Sequence, residues 1–237
     1  MLKGNSPSFV AAKSLAQLSK FPNQVVATAG TGDLMRSELK AVKAIETPID
    51  PLLTKRLRQL LVEVDGHNTG RVSKFPLNDA RILKLIGLTK AQRLNHAQHQ
   101  SILRGVVKVL CEQTPHDLRA ELRKGHLTNE IYGFLYQTGF LALRNALASQ
   151  RISEEKIKKL YFEYSLLART AIVFTLFGWR WFQTGGAENM LMKRVTNEVI
   201  DIDYVVNASY FDGILSNEKR VNHLYGQTKT FLEYRHV

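Results

Sequence analysis

The stretch LLARTAIVFTLFGWRWF, residues 166–182, is the longest apolar run in the chain. Arg169 and Arg180 interrupt it, and a charged side chain is costly inside a lipid bilayer. We therefore interpret the run as a core helix and not as a membrane span. Helical periodicity extends back to Ser153, a plausible helix cap with Glu154 directly after it, so one helix over residues 153–182 is predicted.

The sequence before this run carries almost no strand signal. Apolar residues recur there at helical spacing, and glycines and prolines separate the segments. The predicted helices cover residues 52–64, 80–88, 90–110, 116–123 and 129–148. Residues 47–184 are therefore predicted to form a helical segment.

The two ends of the chain differ from this middle. Residues 24–29, QVVATA, form a β-branched run between Pro22 and Gly30, and residues 211–215, FDGIL, form another apolar run. Both predict strands, and a predicted helix follows each of them, over residues 34–45 and 219–234. Parallel strands need such long crossovers.

The predicted fold class is therefore α/β, with a small parallel sheet formed by both chain ends and a large helical insertion. Residues 1–46 and 185–237 would build the sheet domain, and residues 47–184 would be the insertion. A further helix over residues 197–209 is expected in the C-terminal part.

Composition limits the class of protein. The chain has 237 residues, of which 44% are hydrophobic, enough for a sizeable core. Cys111 is the only cysteine, so no internal disulfide and no thiolate metal cluster can form. The segment that begins at Met1 lacks the apolar stretch of a signal peptide. We expect a cytoplasmic protein with no membrane segment.

The net charge of +12 is unevenly distributed along the chain. Residues 51–182 contain 21 Lys and Arg against ten Asp and Glu, whereas residues 183–237 contain six against seven. A basic segment of this kind predicts binding to phosphates of nucleic acid, RNA in the first place. The expected phosphate contacts include Lys156, Lys158 and Lys159. The alternative is a lysine-rich solvated helical surface.

Two acidic stretches near the C-terminus indicate a site. They are residues 197–208, NEVIDIDYVVNA, and residues 211–219, FDGILSNEK. Together they resemble the C-terminal half of PIN-like nuclease domains, in which an acid at a helix is followed by an apolar strand, a Ser or Thr and a second acid. Asp201 and Glu218 stand at these acidic positions.

The same resemblance implies roles for other residues. Glu38 stands where the family carries an acid in the helix after its second strand, so Glu38, Asp201 and Glu218 would be the catalytic acids and metal ligands. The supporting residues would be Glu198, Asp203, Ser216 and Asn217. On a helix, Glu198 and Asp201 share a face, whereas Asp203 points elsewhere.

Clustered carboxylates suit the chemistry that the family performs. Mg²⁺ and Mn²⁺ prefer carboxylate oxygens and retain waters, and such ions orient the water that attacks a phosphodiester. The expected cofactor is therefore Mg²⁺ or Mn²⁺, and the expected activity is metal-dependent hydrolysis of RNA.

One family acid has no counterpart in this sequence. It is an Asp at the end of an N-terminal strand, and the segment Met1-Leu2-Lys3 offers neither the strand nor the Asp. A truncated or degenerate domain is therefore expected, with weak or undetectable hydrolysis and an inhibitory protein partner as one option. The rival hypotheses are a non-catalytic relative that binds nucleic acid or a protein, and an all-helical interaction protein.

Overall fold

The computed structural model describes residues 15–71, 109–110, 112–148, 152–183, 192–214 and 216–234, with the backbone alone at residues 192–197 and 200. The chain divides into two compact units. Unit 1 comprises Met1–Ala29 and Pro48–Asn95, and unit 2 comprises Gly30–Thr47 and His96–Val237. The three segments expected from sequence stay a prediction.

Unit 1 combines one long helix with an extended segment. The sequence motif Asp50-Pro51 begins helix α2, Pro51–Asn68, because the Asp50 carboxylate accepts hydrogen bonds from the amides of Leu52 (2.8 Å) and Leu53 (2.9 Å). Thr54 on this helix accepts a hydrogen bond from the amide of Ala27 (3.0 Å). The helix therefore fixes the extended backbone that lies beside it.

Unit 2 is helical in every part that the structure describes as regular. Its helices are α1 (Thr31–Ala41), α3 (His116–Lys124), α4 (Asn129–Leu147), α5 (Glu154–Phe162), α6 (Leu166–Gln183), α7 (Met192–Ala208) and α8 (Lys219–Glu233). The helices predicted over residues 34–45, 52–64, 116–123, 129–148 and 219–234 are confirmed within four residues at each end. The helix predicted over residues 197–209 is confirmed in type, but it begins five residues earlier, at Met192. Those over residues 80–88 and most of 90–110 lie outside the described residues.

Helix α6 is the centre of unit 2. It contacts α1, α3, α4, α5, α7 and α8. Twelve of its 18 residues are buried, so it is covered on more than one face, as an apolar core helix must be. The Trp179 indole donates a hydrogen bond to the carbonyl of Leu122 (2.8 Å), which ties α6 to α3. The prediction of a core helix here is confirmed.

The single helix predicted over residues 153–182 is wrong, because α5 and α6 are separate helices at 76°. Tyr164 adopts a left-handed conformation with φ of 50°, and the Ser165 hydroxyl accepts a hydrogen bond from the amide of Ala168 (3.1 Å). Serine capping thus begins a new helix inside an uninterrupted apolar pattern. No single helix in the described ranges is long and apolar enough to cross a membrane, although α5 and α6 together would be by length and composition.

The predicted α/β fold is also wrong. Within the described residues 75% are helical and none belongs to a strand, so the expected parallel sheet is absent from this part of the chain. Gln24 ends a 3-10 turn at Pro22–Gln24, and residues 25–29 form only an isolated antiparallel bridge, Thr28 to Ile49. Local β propensity makes an extended segment, but a sheet also needs a neighbouring strand.

The second expected strand is a turn where the structure describes it. The amide of Tyr210 donates to the carbonyl of Asn207 (3.3 Å), and the amide of Phe211 donates to the carbonyl of Ala208 (2.9 Å). These bonds span three residues each, so the chain forms a tight turn at the end of α7. Asp212 and Gly213, both turn-forming residue types, continue this bend. Leu215 lies outside the described residues.

Candidate functional site

Three of the predicted acids meet at one arginine. Arg220, in the first turn of α8, contacts the carboxylates of Glu198 (3.0 Å), Asp201 (2.8 Å) and Glu218 (3.2 Å). Glu198 and Asp201 lie three residues apart on α7, and Glu218 is the residue that precedes α8. The packing of α7 against α8 therefore brings these acids together around a cation.

Burial differs strongly among these acids. The side chain of Glu198 is 2% exposed and that of Glu218 is 60% exposed. Burial raises the pKa of Asp201 above its ordinary value; the charge of Arg220 opposes this increase, and the charge of Glu218 adds to it. The positive charge of Arg220 therefore offsets only part of the effect that burial and the neighbouring carboxylate have on the pKa of Asp201.

The expected Mg²⁺ or Mn²⁺ does not fit this arrangement. A divalent cation needs converging carboxylate oxygens, and here the guanidinium of Arg220 already binds oxygens of all three acids. Among the residues that the structure describes, no group of three or more His, Cys, Asp or Glu is arranged to hold a metal ion.

Glu38 has a different setting from the other predicted acids. It is fully buried, and its carboxylate accepts hydrogen bonds from the amides of Leu166 (2.8 Å), Leu167 (3.1 Å) and Ile45 (3.0 Å). Two of these amides belong to the first turn of α6, where amide groups have no partner within the helix and the helix dipole favours negative charge. The structure thus places Glu38 as the cap of the central helix.

A half-buried arginine, Arg169, interacts electrostatically with Glu38. The Arg169 guanidinium donates to the carbonyl of Tyr164 (2.9 Å) and to Ser209, and it stacks over the ring of Tyr210 with 4.1 Å to the ring centroid. Burial lowers the pKa of Arg169, and the negative charge of Glu38 opposes this effect. These interactions hold the end of α7 against the start of α6.

The remaining predicted residues are dispersed. Asp203 is exposed on α7, and its side chain lines a pocket between helices of unit 2 instead of meeting Arg220. The Ser216 hydroxyl accepts a hydrogen bond from the amide of Glu218 (3.1 Å), so it shapes the turn before α8. Asn217 is exposed in the same turn.

The predicted phosphate contacts lie on α5 among acidic residues. Lys158 pairs with Glu154 (3.0 Å), and Lys159 lies 3.9 Å from Glu163. Lys156 is exposed on the same helix. Because two of the three ammonium groups have neighbouring carboxylates, this surface is weakly cationic.

A groove in unit 1 is lined by two basic side chains, Lys55 and Arg58, and one acidic side chain, Glu63. It has a volume of about 950 Å³, and one face of α2 lines one side of it. The polar lining residues are Asn23, Thr54, Lys55, Arg58, Gln59 and Glu63, and the apolar ones are Pro22, Val26, Ile49, Pro51 and Val62. The groove therefore combines cations and amides with an apolar wall.

The sequence prediction missed Arg220 as the residue that organises the acids. Its position two residues after Glu218 was a usable signal, because a cation in the first turn of a helix lies close to the residue that precedes the helix. The prediction also did not single out Lys55 and Arg58.

Comparisons of the chain with protein-family models, with curated proteins and with solved structures find no match.

Proposed function

We propose that this protein binds single-stranded nucleic acid, RNA in the first place, through the groove of unit 1. The observation that carries the proposal is the pair of basic side chains, Lys55 and Arg58, that lines this groove beside exposed apolar residues. Unit 1 contains 12 Lys and Arg against four Asp and Glu, a net charge of +8 out of +12 for the whole chain. By composition, this part of the chain therefore attracts a polyanion, which releases its counterions on binding.

The groove supplies contacts for phosphates. Lys55 and Arg58 lie about one helical turn apart on α2, so their cationic groups can follow successive phosphates. The Nε atom of Arg58 donates to the carbonyl of Val25 (3.1 Å), which fixes the direction of the guanidinium. A positioned guanidinium binds phosphate more specifically than a mobile ammonium group.

The apolar residues favour a single strand over a duplex. Val26 and Val62 line the groove and are exposed. Phe21, which is 57% exposed, directly precedes Pro22, another residue that lines the groove. Unpaired bases stack on aromatic rings and cover apolar side chains, whereas a duplex presents mainly phosphates to such a surface. Asn23 and Gln59 add amide groups that bind base edges.

Cleavage is not part of this proposal. The acids that a hydrolytic metal would need are bound to Arg220, and Glu38 caps α6. A non-catalytic binding protein, one of the rivals from the sequence, fits these contacts better than a nuclease does.

The test is a salt titration with a matched pair of variants. Fluorescence anisotropy would measure binding of a short labelled oligouridylate between about 50 and about 200 mM salt, a range that strongly changes phosphate-dependent affinity. We expect K55Q to weaken binding and to reduce the slope of log K against log salt by about 0.7, the contribution of one single-strand phosphate contact.

The control is R56Q, which removes the same charge from the adjacent residue of α2. Arg56 is exposed and does not line the groove, so its loss should leave the slope nearly unchanged. Equal effects of K55Q and R56Q would show that binding depends on overall charge and not on the groove. Absence of binding at low salt would refute the nucleic-acid function.

A further inference from the structure

Four helices of unit 2 surround a half-open cavity of about 370 Å³. Helices α1, α4, α6 and α7 each contribute residues to its wall. Small-molecule sites have volumes of about 300–1,000 Å³, so this cavity is large enough for one compact ligand.

The wall of the cavity can be reached from solvent. Gly32 on α1 and Ala146 on α4 are exposed at its edge, and Met35, Ala142 and Phe174 are only half-buried. The α6 residues of the wall recur at intervals of three and four positions, which places them on one side of the helix: Leu167, Thr170, Ala171 and Phe174. One face of the central helix therefore contributes accessible apolar surface to the cavity.

The hydroxyl groups of this wall already have hydrogen-bond partners. The Thr170 hydroxyl donates to the carbonyl of Leu166 (2.7 Å), and the Thr31 hydroxyl accepts from the side-chain amide of Asn207 (3.1 Å). A cavity lined by apolar side chains stays dry and can take up an apolar molecule. The part of a ligand that enters this cavity is therefore apolar.

The charge at the edge of the cavity restricts the polar end of such a ligand. Asp203 is exposed, and among the described residues that line the cavity it alone is charged. Asp203 lies one helical turn after Val199, a buried residue of the same wall. A carboxylate in this place attracts a cationic end group and repels an anionic one.

We propose that this cavity binds a small apolar amine. The apolar body lies against Phe174 and the two alanines of α4, and the protonated amino group lies at the edge near Asp203. This inference is independent of the groove in unit 1.

The experiment is calorimetric titration of the full chain, at about pH 7, with phenylpropylamine, phenylpropanol and phenylpropanoate. The three compounds share one apolar body and differ in the charge of the end group. We expect the alcohol to bind about threefold more weakly than the amine, within the range of an exposed ion pair, and the anion to bind more weakly than the alcohol. Because the net charge of +12 attracts anions to the protein in general, a preference for the amine reports the local charge of the cavity.

Three outcomes of this titration would refute the proposal. They are absence of binding by the amine, tightest binding of the anion, and equal binding of propylamine, which lacks the ring. The last outcome would show that amines only pair with acids at the surface.

Two variants locate the ligand. A142F should fill the cavity and abolish binding, whereas A120F, at an exposed alanine of α3 that does not line the cavity, should leave it unchanged. D203N should remove the preference for the amine over the alcohol, and D212N, at an exposed acid away from the cavity, should keep it. Binding that persists in A142F would place the ligand elsewhere, and a preference that persists in D203N would refute the role of Asp203. If A142F does not fold, D203N and the comparison of the compounds still decide the proposal.

Discussion

Glu38 and Leu166 are 128 positions apart, and the Glu38 carboxylate accepts a 2.8 Å hydrogen bond from the Leu166 amide. A second bond, from the Leu167 amide, makes this acid the anionic cap of the central helix. The contact links the first segment of unit 2 to its core. Glu38, which was predicted to hold a metal, therefore stabilises the start of α6.

The first prediction follows from this cap. E38Q keeps the side-chain size but replaces one charged acceptor oxygen by an amide nitrogen that donates. We expect it to lower the free energy of unfolding by about 1.5–3 kcal/mol, the range for hydrogen bonds to charged groups. Urea unfolding followed by circular dichroism would measure the change.

The control for E38Q is D33N on the same helix. Asp33 is exposed and pairs with Arg36 at the surface, so its loss should change stability by less than about 1 kcal/mol. If E38Q were as mild as D33N, the hydrogen bonds of Glu38 would contribute little to folding.

A second prediction compares two glycines of α4. A methyl group at Gly139 would lie 2.5 Å from the hydroxyl oxygen of Tyr161, which itself donates to the carbonyl of Tyr136 (2.7 Å). G139A should therefore destabilise the protein by about 1–3 kcal/mol, as overpacking does. G133A, with open space around it, should stabilise by about 0.5–1 kcal/mol because alanine favours helix.

Thermal unfolding of the two variants would distinguish close packing from a general effect of glycine replacement. The same direction of change in G139A and G133A would contradict the close approach of α4 and α5.

Helices were predictable from this sequence because their apolar periodicity is local. The helices α4 and α8 were placed within about a residue of their observed ends. The break at Ser165 was not predicted, because its cause includes Glu38, which is distant in sequence. The sheet was wrong because β propensity in residues 24–29 cannot report whether a second strand lies beside them.

The acids were more predictable as a group than in their role. Glu198 and Asp201 lie on one face of α7, as a spacing of three residues implies, and Glu218 lies near them. Their role depends on which cation lies among them. That cation is a side chain from another helix, and only the packing of α7 on α8 shows it.

A third prediction concerns the surface of α5. Charge reversal at Lys156, Lys158 and Lys159 should weaken RNA binding less, per charge, than reversal at Lys55, because Glu154 and Glu163 already lie close to two of these lysines. Anisotropy of the triple variant and of K55E at equal salt would measure both effects. A larger loss per charge in the triple variant would place the nucleic acid on α5.

A fourth prediction uses the titration of Asp201. Burial raises its pKa in the folded protein above the unfolded value of about 3.9, so its stabilising contribution is present at low pH and is lost as pH rises through the folded pKa. Asparagine imitates the protonated acid. The melting temperature of D201N relative to wild type should therefore rise between about pH 4 and 7. D212N, at an exposed carboxylate, is the control, and an equal trend there would contradict the burial of Asp201.

The last prediction tests whether a metal competes with Arg220. The guanidinium already contacts three carboxylates, so millimolar Mn²⁺ should leave the melting temperature of the wild type unchanged, since a ligand stabilises only the state that it binds. R220Q should melt at a lower temperature, because Glu198 and Asp201 lose their common counter-charge in a partly buried place. Calorimetry of wild type, R220Q and D201N with and without Mn²⁺ separates the possibilities. If Mn²⁺ raises the melting temperature of the wild type but not that of D201N, Asp201 is a metal ligand and the nuclease hypothesis is supported. An equal rise in both proteins would mean that Mn²⁺ binds elsewhere.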